Sequence, residues 1–230
     1  MFFGGAEYPK PITILARVGA ERILLSYAYP PSRESWGLIR AHGFEVMADS
    51  GAFTAWKQGR ALDIDDYIRW LREHEIPLYF NLDVVGDQAA TRMNQEYMEA
   101  QGMTPIPVFH IGEPWALLRE MVSGYPVVGL GGTVGQPTRV KEHWLRQVFT
   151  LCPSGQLHAL GVAHERLLRQ FPLWGADSTW WLYKFQGDKQ RRMAPGGDQT
   201  AEREARARHL MELQTAPKKG FPGTLPLGGG

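Results

Sequence analysis

Three aspartates of this 230-residue chain, Asp49, Asp83 and Asp177, each follow a short apolar run that predicts a β-strand. Two carboxylates in one site can supply a nucleophile and a group that gives or takes a proton. Glycoside hydrolases on barrel folds use such a pair. That interpretation leaves the glycine-rich segment 129–135 without a role.

The segment that starts at Asp49 has the features of a corner that binds a planar base. Ser50 and Gly51 follow the carboxylate, and a glycine lets the backbone come close to a ligand. Phe53 adds an aromatic ring two residues later.

These residues belong to a regular alternation of short apolar runs and segments with helical spacing, the pattern of parallel βα units. The predicted strands are 2–4, 22–27, 44–48, 78–82, 106–110, 127–130, 156–160 and 173–176. The predicted helices are 11–18, 32–41, 64–73, 88–101, 115–122, 138–151, 165–170 and 200–213.

Eight strands alternating with eight helices predict an α/β fold, a single small zinc-free (β/α)8 TIM barrel over residues 1–214. Residues 215–230 are rich in Pro and Gly and predict a flexible tail. A doubly wound open sheet is the alternative fold. In a barrel the functional side chains collect at the carboxyl ends of the strands, which the three aspartates and His110 follow.

Charge and cysteine content narrow the class of protein. The chain has 25 Lys and Arg against 24 Asp and Glu, but residues 181–230 hold nine basic and five acidic side chains, so a nucleic-acid contact is expected there. A single cysteine, Cys152, excludes an internal disulfide and a multi-cysteine zinc site. Without a long apolar run or a signal-peptide pattern, we expect a soluble cytoplasmic protein with no membrane contact.

Three motifs in register resemble one family. Asp49-Ser50-Gly51-Ala52-Phe53 is similar to the Asp-Ser-Gly-Gly-Phe signature of the tRNA-guanine transglycosylase superfamily. The segment 129–135 resembles that family's glycine-rich segment, and 157–162 followed by 175–177 resembles its last two strands. The order and spacing agree over roughly residues 40–182.

The resemblance implies a carboxylate nucleophile that holds the sugar while one base leaves and another enters, without a cofactor or a metal. It implies that Asp49 lies beside the base and the sugar, and that Asp83 accepts hydrogen bonds from a guanine-type edge. Gly131 and Gly132 would present backbone amides to O6, and Phe53 would stack on the base, a contact of about 1 to 3 kcal/mol. Ser50, Gly51 and His110 complete the predicted base site.

The nucleophile is the position where the motif departs from the family pattern. The tRNA enzymes end this strand with Gly-x-Asp-x-Phe-Asp and use the second aspartate, where this chain has Trp180. Asp177 is the predicted nucleophile. Asp49 in that role, or a loss of catalysis, are the alternatives.

The absence of zinc-ligating cysteines bears on which nucleic acid is the substrate. The tRNA enzymes of bacteria and eukaryotes carry a zinc site of three cysteines and a histidine, which a chain with one cysteine cannot build. This chain, which is short and has no such zinc site, resembles the phage and genomic-island branch that places a 7-deazaguanine such as preQ0 into DNA. The resemblance implies a location in the host cytoplasm if a phage encodes the protein. DNA is therefore the predicted partner and tRNA the alternative, and a homodimer or a partner protein is left open.

The basic segment after the last strand is the predicted nucleic-acid contact. It contains Lys184, Lys189, Arg191 and Arg192 against Asp188, and each phosphate contact would steepen the salt dependence of binding by about one unit. Trp180, Trp181 and Tyr183 are candidates for stacking on extruded or flanking bases, and Trp180 and Trp181 are equally candidates for packing residues of the core. A non-catalytic subunit that binds the base and leaves catalysis to a partner is a further alternative.

Several of these residues have structural interpretations that stay open at this point. Asp49 and Asp177 could cap turns, and Asp83 could orient its loop. His110 with Glu113 could bind a metal, act as an acid and base, or be a histidine satisfied by its neighbours, and His158 is interpreted as structural. The pair Gly131-Gly132 could be a tight turn or a phosphate-binding nest.

Overall fold

The computed structural model describes residues 1–182 and 199–215. All pairings between its strands are parallel. The strands are β1 Phe2–Gly4, β2 Arg22–Ser26, β3 Glu45–Asp49, β4 Leu78–Tyr79, β5 Val108–His110, β6 Val128–Gly131, β7 Leu157–Ala159 and β8 Gly175–Ser178.

The eight strands follow one another around a curled sheet in the order β4-β3-β2-β1-β8-β7-β6-β5. A parallel bridge between Phe80 and Ile106 joins the two outer strands. In this bridge the Ile106 amide donates to the Tyr79 carbonyl at 2.8 Å, and the Asn81 amide donates to the Ile106 carbonyl at 3.1 Å. The predicted α/β fold of the TIM-like (β/α)8 type is therefore confirmed. The order never reverses, as it does at the switch point of a doubly wound sheet.

Helices connect the strands on the outside. In the described part of the chain they are α1 Pro9–Arg17, α2 Arg33–His42, α3 Ala52–Lys57, α4 Ile64–Glu73, α5 Gln88–Ala100, α6 Trp115–Gly124, α7 Thr138–Leu151, α8 Glu165–Gln170 and α9 Thr200–Thr215, with a 3-10 turn at Trp180–Leu182. Within residues 1–182 and 199–215, no helix is both long and apolar enough to span a bilayer.

Helix α4 illustrates why the predicted helices form. Asp63 accepts hydrogen bonds from the amides of Asp65 and Asp66, which satisfies two donors of the first turn. The apolar stripe of the helix packs against the strands, and the hydroxyl of buried Tyr67 donates to the Phe80 carbonyl at 2.9 Å. The cap and the stripe together fix the start and the orientation of the helix.

The apolar side chains form two layers, one between strands and helices and one inside the barrel. The interior layer consists of Phe2, Leu24, Met47, Phe80, Ile106, Val108 and Val127. Successive residues of a strand point to opposite faces, so the residue two positions after an interior one also points inward. Asp49 follows Met47 in this way and His110 follows Val108, which brings both to the mouth of the barrel.

Two features differ from the sequence prediction. Helix α3 is not among the predicted helices, and the 3-10 turn adds a short helical segment after β8. The predicted flexible tail lies outside the described residues, apart from Thr215, which ends α9.

Candidate active site

A cavity of about 750 Å³ opens at the carboxyl ends of the strands. Its volume falls within the range of ligand pockets, about 300 to 1,000 Å³. Its walls bring together eight of the residues predicted from the sequence, which lie up to 128 positions apart: Asp49, Ser50, Phe53, Asp83, His110, Gly131, Gly132 and Asp177. The three aspartates therefore face one space.

Gly51 stands behind the cavity wall and shapes the turn that carries Asp49. It has a φ of 73° and precedes the first residue of α3. A Cβ at this position would overlap Ala28 and the hydroxyl of Ser26. Only glycine fits this left-handed conformation and this close approach, so the predicted role of Gly51 as a ligand contact becomes a role in the turn.

Asp49 sits at the end of β3 and is half-buried at the cavity wall. Burial, together with the negative charges of Asp177 and Asp83, raises the pKa of Asp49 to about 7, although the Gly51 amide acts in the opposite direction. A carboxyl with this pKa is partly protonated at neutral pH. It can therefore both give and take a proton in the working range of a cell.

Asp177 is held by a buried histidine. His158 has no exposed surface, and its Nε2 lies 3.0 Å from Asp177 Oδ1. The Gly161 amide donates to Asp177 Oδ2 at 3.3 Å. The contact with Asp177 uses Nε2 of His158, and Nδ1 is buried without a hydrogen-bond partner among the described residues.

Asp83 and Glu113 enclose His110. His110 Nε2 lies 3.1 Å from Asp83 Oδ2, its Nδ1 lies 3.5 Å from Glu113 Oε1, and its amide donates to Glu113 Oε2 at 2.8 Å. Burial lowers the pKa of His110, but the hydrogen bonds and charges of Asp83 and Glu113 outweigh it and raise the pKa to about 10. The ring is therefore an imidazolium that fixes the orientation of Asp83.

Gly131 is required by the position of His110. A Cβ on Gly131 would lie 2.8 Å from His110 Cδ2 and 2.8 Å from Val108 Cγ1. Gly132 follows with a φ of 73° and also borders the cavity. The glycine pair therefore leaves room beside the histidine and shapes the wall opposite β3.

The rim of the cavity is apolar. Phe53, Val84, Val85 and Val134 border the cavity and are also exposed to solvent. An aromatic ring with one exposed side at a polar cavity suits a planar ligand.

The tryptophans after β8 differ in their surroundings. Trp181 is fully buried, and its indole N–H donates to the Gly4 carbonyl at 3.0 Å, so of its two interpretations Trp181 is a packing residue and is not available for stacking. Trp180 is partly exposed and has the Arg206 guanidinium over its ring at 5.8 Å. Lys184, Lys189, Arg191 and Arg192, together with Tyr183, lie outside the described residues.

The cavity walls contain no lysine or arginine within residues 1–182 and 199–215. The same part of the chain has no group of three or more His, Cys, Asp or Glu side chains suited to a metal ion. The described walls are thus rich in carboxylates, with His110 as their positive charge.

Sequence reasoning missed the partners that orient the carboxylates. His158 was interpreted as structural, yet it binds Asp177, and Glu113 was weighed only as part of a pair with His110. One sequence feature could have indicated that His158 points toward the site. It lies two residues before the end of a predicted strand, on the face that points into the barrel. The contact of Gly161 with Asp177 had no sequence signal beyond the glycine itself.

Comparison with known proteins gives the fold alone. No protein-family profile and no curated protein matches the sequence. Solved structures match at 11–14% identity. A structure described as the 4-hydroxy-2-oxoglutarate aldolase/2-deydro-3-deoxyphosphogluconate aldolase from TTHB1 has a TM-score of 0.54 and 14% identity, over 88% of this chain and 86% of that one.

Two further structures agree over nearly the whole chain. One described as native KDPGal has a TM-score of 0.55 and 14% identity, over 92% of this chain and 91% of that one. A structure from Aquifex aeolicus VF5 has a TM-score of 0.59 and 11% identity, over 93% of each chain. These similarities are consistent with the barrel and carry no activity to this chain.

Proposed function

We propose that this protein is a DNA-guanine transglycosylase that exchanges guanine in DNA for a 7-deazaguanine base such as preQ0. The observation that carries the proposal is the meeting of Asp49, Asp83 and Asp177 at one cavity of about 750 Å³. Asp49 and Asp177 come from motifs that resemble the transglycosylase superfamily, and Asp83 has the base-binding role that the resemblance implies.

Asp177 acts as the nucleophile in this proposal. Its carboxylate attacks C1′ of the target nucleotide, a bond forms between Asp177 and C1′, and the bond from C1′ to N9 of guanine breaks. His158 and Gly161 bind the two carboxylate oxygens and hold the group in one orientation. His158 is therefore a positioning residue.

Asp49 moves the proton. Its protonated carboxyl gives a proton to the departing guanine and becomes a carboxylate. The incoming 7-deazaguanine then returns its N9 proton to Asp49, attacks C1′ and releases the Asp177 carboxylate. A pKa of about 7 suits a group that must take both forms in one cycle.

Asp83 binds the base. A guanine-type edge presents an N1–H and an exocyclic amine, both donors, and a carboxylate accepts such hydrogen bonds. His110 holds Asp83 in place through the contact at 3.1 Å. Phe53 lies at the rim of the cavity, and in this proposal its ring stacks on the base.

The charge of the cavity favours a base over other ligands. Schiff-base chemistry needs a lysine amine, and phosphate binding is typically assisted by lysine or arginine. The described walls have neither, and their carboxylates would repel an anion. A neutral base that donates hydrogen bonds matches this environment.

Base exchange is tested by incubating the protein with guanine-containing DNA and labelled preQ0 and measuring the label in the polymer. We expect incorporation into DNA, and its loss in Asp177→Asn. Asp63→Asn is the matched control, because Asp63 caps α4 away from the cavity and asparagine caps equally well. Incorporation into tRNA alone would favour the tRNA alternative, and incorporation into neither polymer would contradict the proposal.

A further inference from the structure

An exposed aromatic and cationic surface lies beside the cavity mouth, and the exchange chemistry does not use most of it. We call it the α3 platform; it consists of Tyr29, Phe53, Trp56, Lys57 and Arg60. Trp56 is 57% exposed, Tyr29 41% and Phe53 40%. Large apolar side chains grouped in this way at a surface commonly mark a binding site.

The rings of the platform are arranged for stacking. Phe53 and Trp56 have centroids 6.1 Å apart with planes at 25°, and Lys57 Nζ lies 4.4 Å from the Phe53 centroid. Tyr29 joins them through its hydroxyl, which accepts a hydrogen bond from the Gln58 amide group. The loop after β2 and helix α3 thus form one continuous surface.

Packing does not explain these rings. Helix α3 has six residues, and its one buried residue is Ala55, so the helix contributes little to the core. At its first turn, the Ala52 amide donates to Ser50 Oγ at 3.4 Å, and the exposed rings take no part in this contact. The exposed rings are therefore present for a reason other than the stability of the helix.

The charge of the platform is positive. Between Asp49 and Asp63 the sequence has Lys57 and Arg60 and no acidic residue. Both cations are exposed. Arg60 also binds the Ala28 carbonyl at 3.4 Å, which holds it beside the loop that carries Tyr29.

The platform is continuous with the cavity. Phe53 lines the cavity wall and also contacts Trp56, so a ligand strand with one base in the cavity would have its next base near Trp56. Aromatic rings with cations between them are the features that bind single-stranded nucleic acid.

We propose that the α3 platform binds a single DNA strand next to the exchanged nucleotide, with an unpaired neighbouring base on Trp56 and phosphates near Lys57 and Arg60. This inference rests on the proposed function for its choice of polymer. It adds that the substrate is unstacked over more than the one exchanged base, because a base inside a duplex has no free face to offer.

The test uses a fluorescent thymidine oligonucleotide of about twelve nucleotides, whose binding to the full-length protein is followed by fluorescence anisotropy. Thymidine is chosen because it contains no guanine, so binding is measured apart from exchange. We expect Trp56→Ala to weaken binding about 5- to 150-fold, the effect of removing one stacking ring. Trp56→Phe should retain most of the affinity, since it keeps an aromatic face.

Two further variants separate stacking from charge. Lys57→Gln should reduce the slope of log affinity against log salt by about 0.7 for one lost phosphate contact. Trp174→Ala is the matched control, because Trp174 is 37% exposed and lies before β8, at the opposite end of the barrel. It should leave oligonucleotide binding unchanged.

The outcomes distinguish the platform from the proposed function. Binding of the thymidine strand that is lost in Trp56→Ala supports the platform, even if the unmutated protein exchanges no base. Binding that Trp56→Ala leaves unchanged, or no binding of the strand at low salt, overturns the platform even if exchange occurs. Tighter binding of the corresponding uridine oligonucleotide would overturn the choice of DNA.

Discussion

His158 Nε2 lies 3.0 Å from Asp177 Oδ1, deep in the barrel where the histidine has no exposed surface. The rings of Phe2 and Phe80 pack against the imidazole, with centroids 5.7 and 5.3 Å away. A carboxylate at the cavity wall is thus tied to a side chain that cannot move without disturbing the interior layer.

Loss of the His158 contact should slow exchange more than it weakens base binding. His158→Leu removes the donor from Asp177, and a hydrogen bond to a charged group contributes about 1.5–3 kcal/mol, so we expect kcat to fall about 10- to 150-fold. His158→Gln should restore part of the rate, because its amide can donate from a similar position. Single-turnover kinetics measure the step, and full activity in His158→Leu would remove His158 from the mechanism.

Because the pKa of Asp49 is raised, its contribution to the free energy of unfolding depends on pH. The folded state holds this proton up to about pH 7, whereas the unfolded chain releases it near the model-peptide value of 3.8. Stability from this group is therefore present at low pH and lost as the pH rises from about 4 to 7, by on the order of 2 to 4 kcal/mol.

Asp49→Asn removes this titration, and urea unfolding measures it. Relative to the unmutated protein, we expect the variant to gain unfolding free energy between about pH 5 and about pH 8. Asp63→Asn, which changes an exposed cap, should not show the gain. Parallel pH profiles for Asp49→Asn and the unmutated protein would mean that Asp49 titrates normally.

His110 should remain charged across the neutral range. With a pKa of about 10, its ring carbon signals in NMR should not titrate between about pH 6 and 8. Asp83→Asn removes one of the two carboxylates and should bring the titration of His110 down toward this range. A transition of His110 near its ordinary pKa in the unmutated protein would contradict the enclosure by Asp83 and Glu113.

The His110 charge also affects stability. Its folded pKa lies above the unfolded value of 6.5, so its contribution is fully present below about pH 6.5 and is lost as the pH rises toward 10. Glu113→Gln should reduce the decrease in stability between neutral and alkaline pH. Thermal unfolding of the variant and of the unmutated protein at both pH values measures this difference. An unchanged alkaline slope in Glu113→Gln would show that Glu113 does not raise the pKa of His110.

Gly131→Ala should destabilise the protein by about 1–3 kcal/mol, because the added Cβ meets His110 and Val108 at 2.8 Å. Gly37→Ala is the matched control: Gly37 lies within α2, and a Cβ there meets nothing within 4 Å. It should stabilise the protein by about 0.5–1 kcal/mol. Chemical denaturation compares the two, and equal effects would mean that the cavity wall tolerates a side chain at Gly131.

The sequence predicts the position of the site well because strand alternation is a simple rule. Asp49 and His110 each lie two residues after an interior residue, and the closure of the barrel brings their strand ends to one mouth. Helix α4 was predicted with its observed bounds because Asp63 and the apolar stripe give independent signals of its start and its face.

Other features had no local signal. Helix α3 is too short for a periodic pattern, and Gly51, which precedes it, has no side chain to cap it. The burial of Trp181 depends on a carbonyl at Gly4, far away in the sequence. The pairing of His158 with Asp177 depends on the packing of β7 against β8, which two separate apolar runs do not reveal.

The interior layer beneath the cavity has a kinetic consequence. In the described part of the chain, Phe2, Met47 and Phe80 form a buried layer below the three aspartates and close the floor of the cavity. Under the proposed chemistry, the released guanine must leave through the mouth of the cavity before the incoming base can bind in the same position. The enzyme would then work by a ping-pong sequence, in which free guanine competes directly with the incoming base.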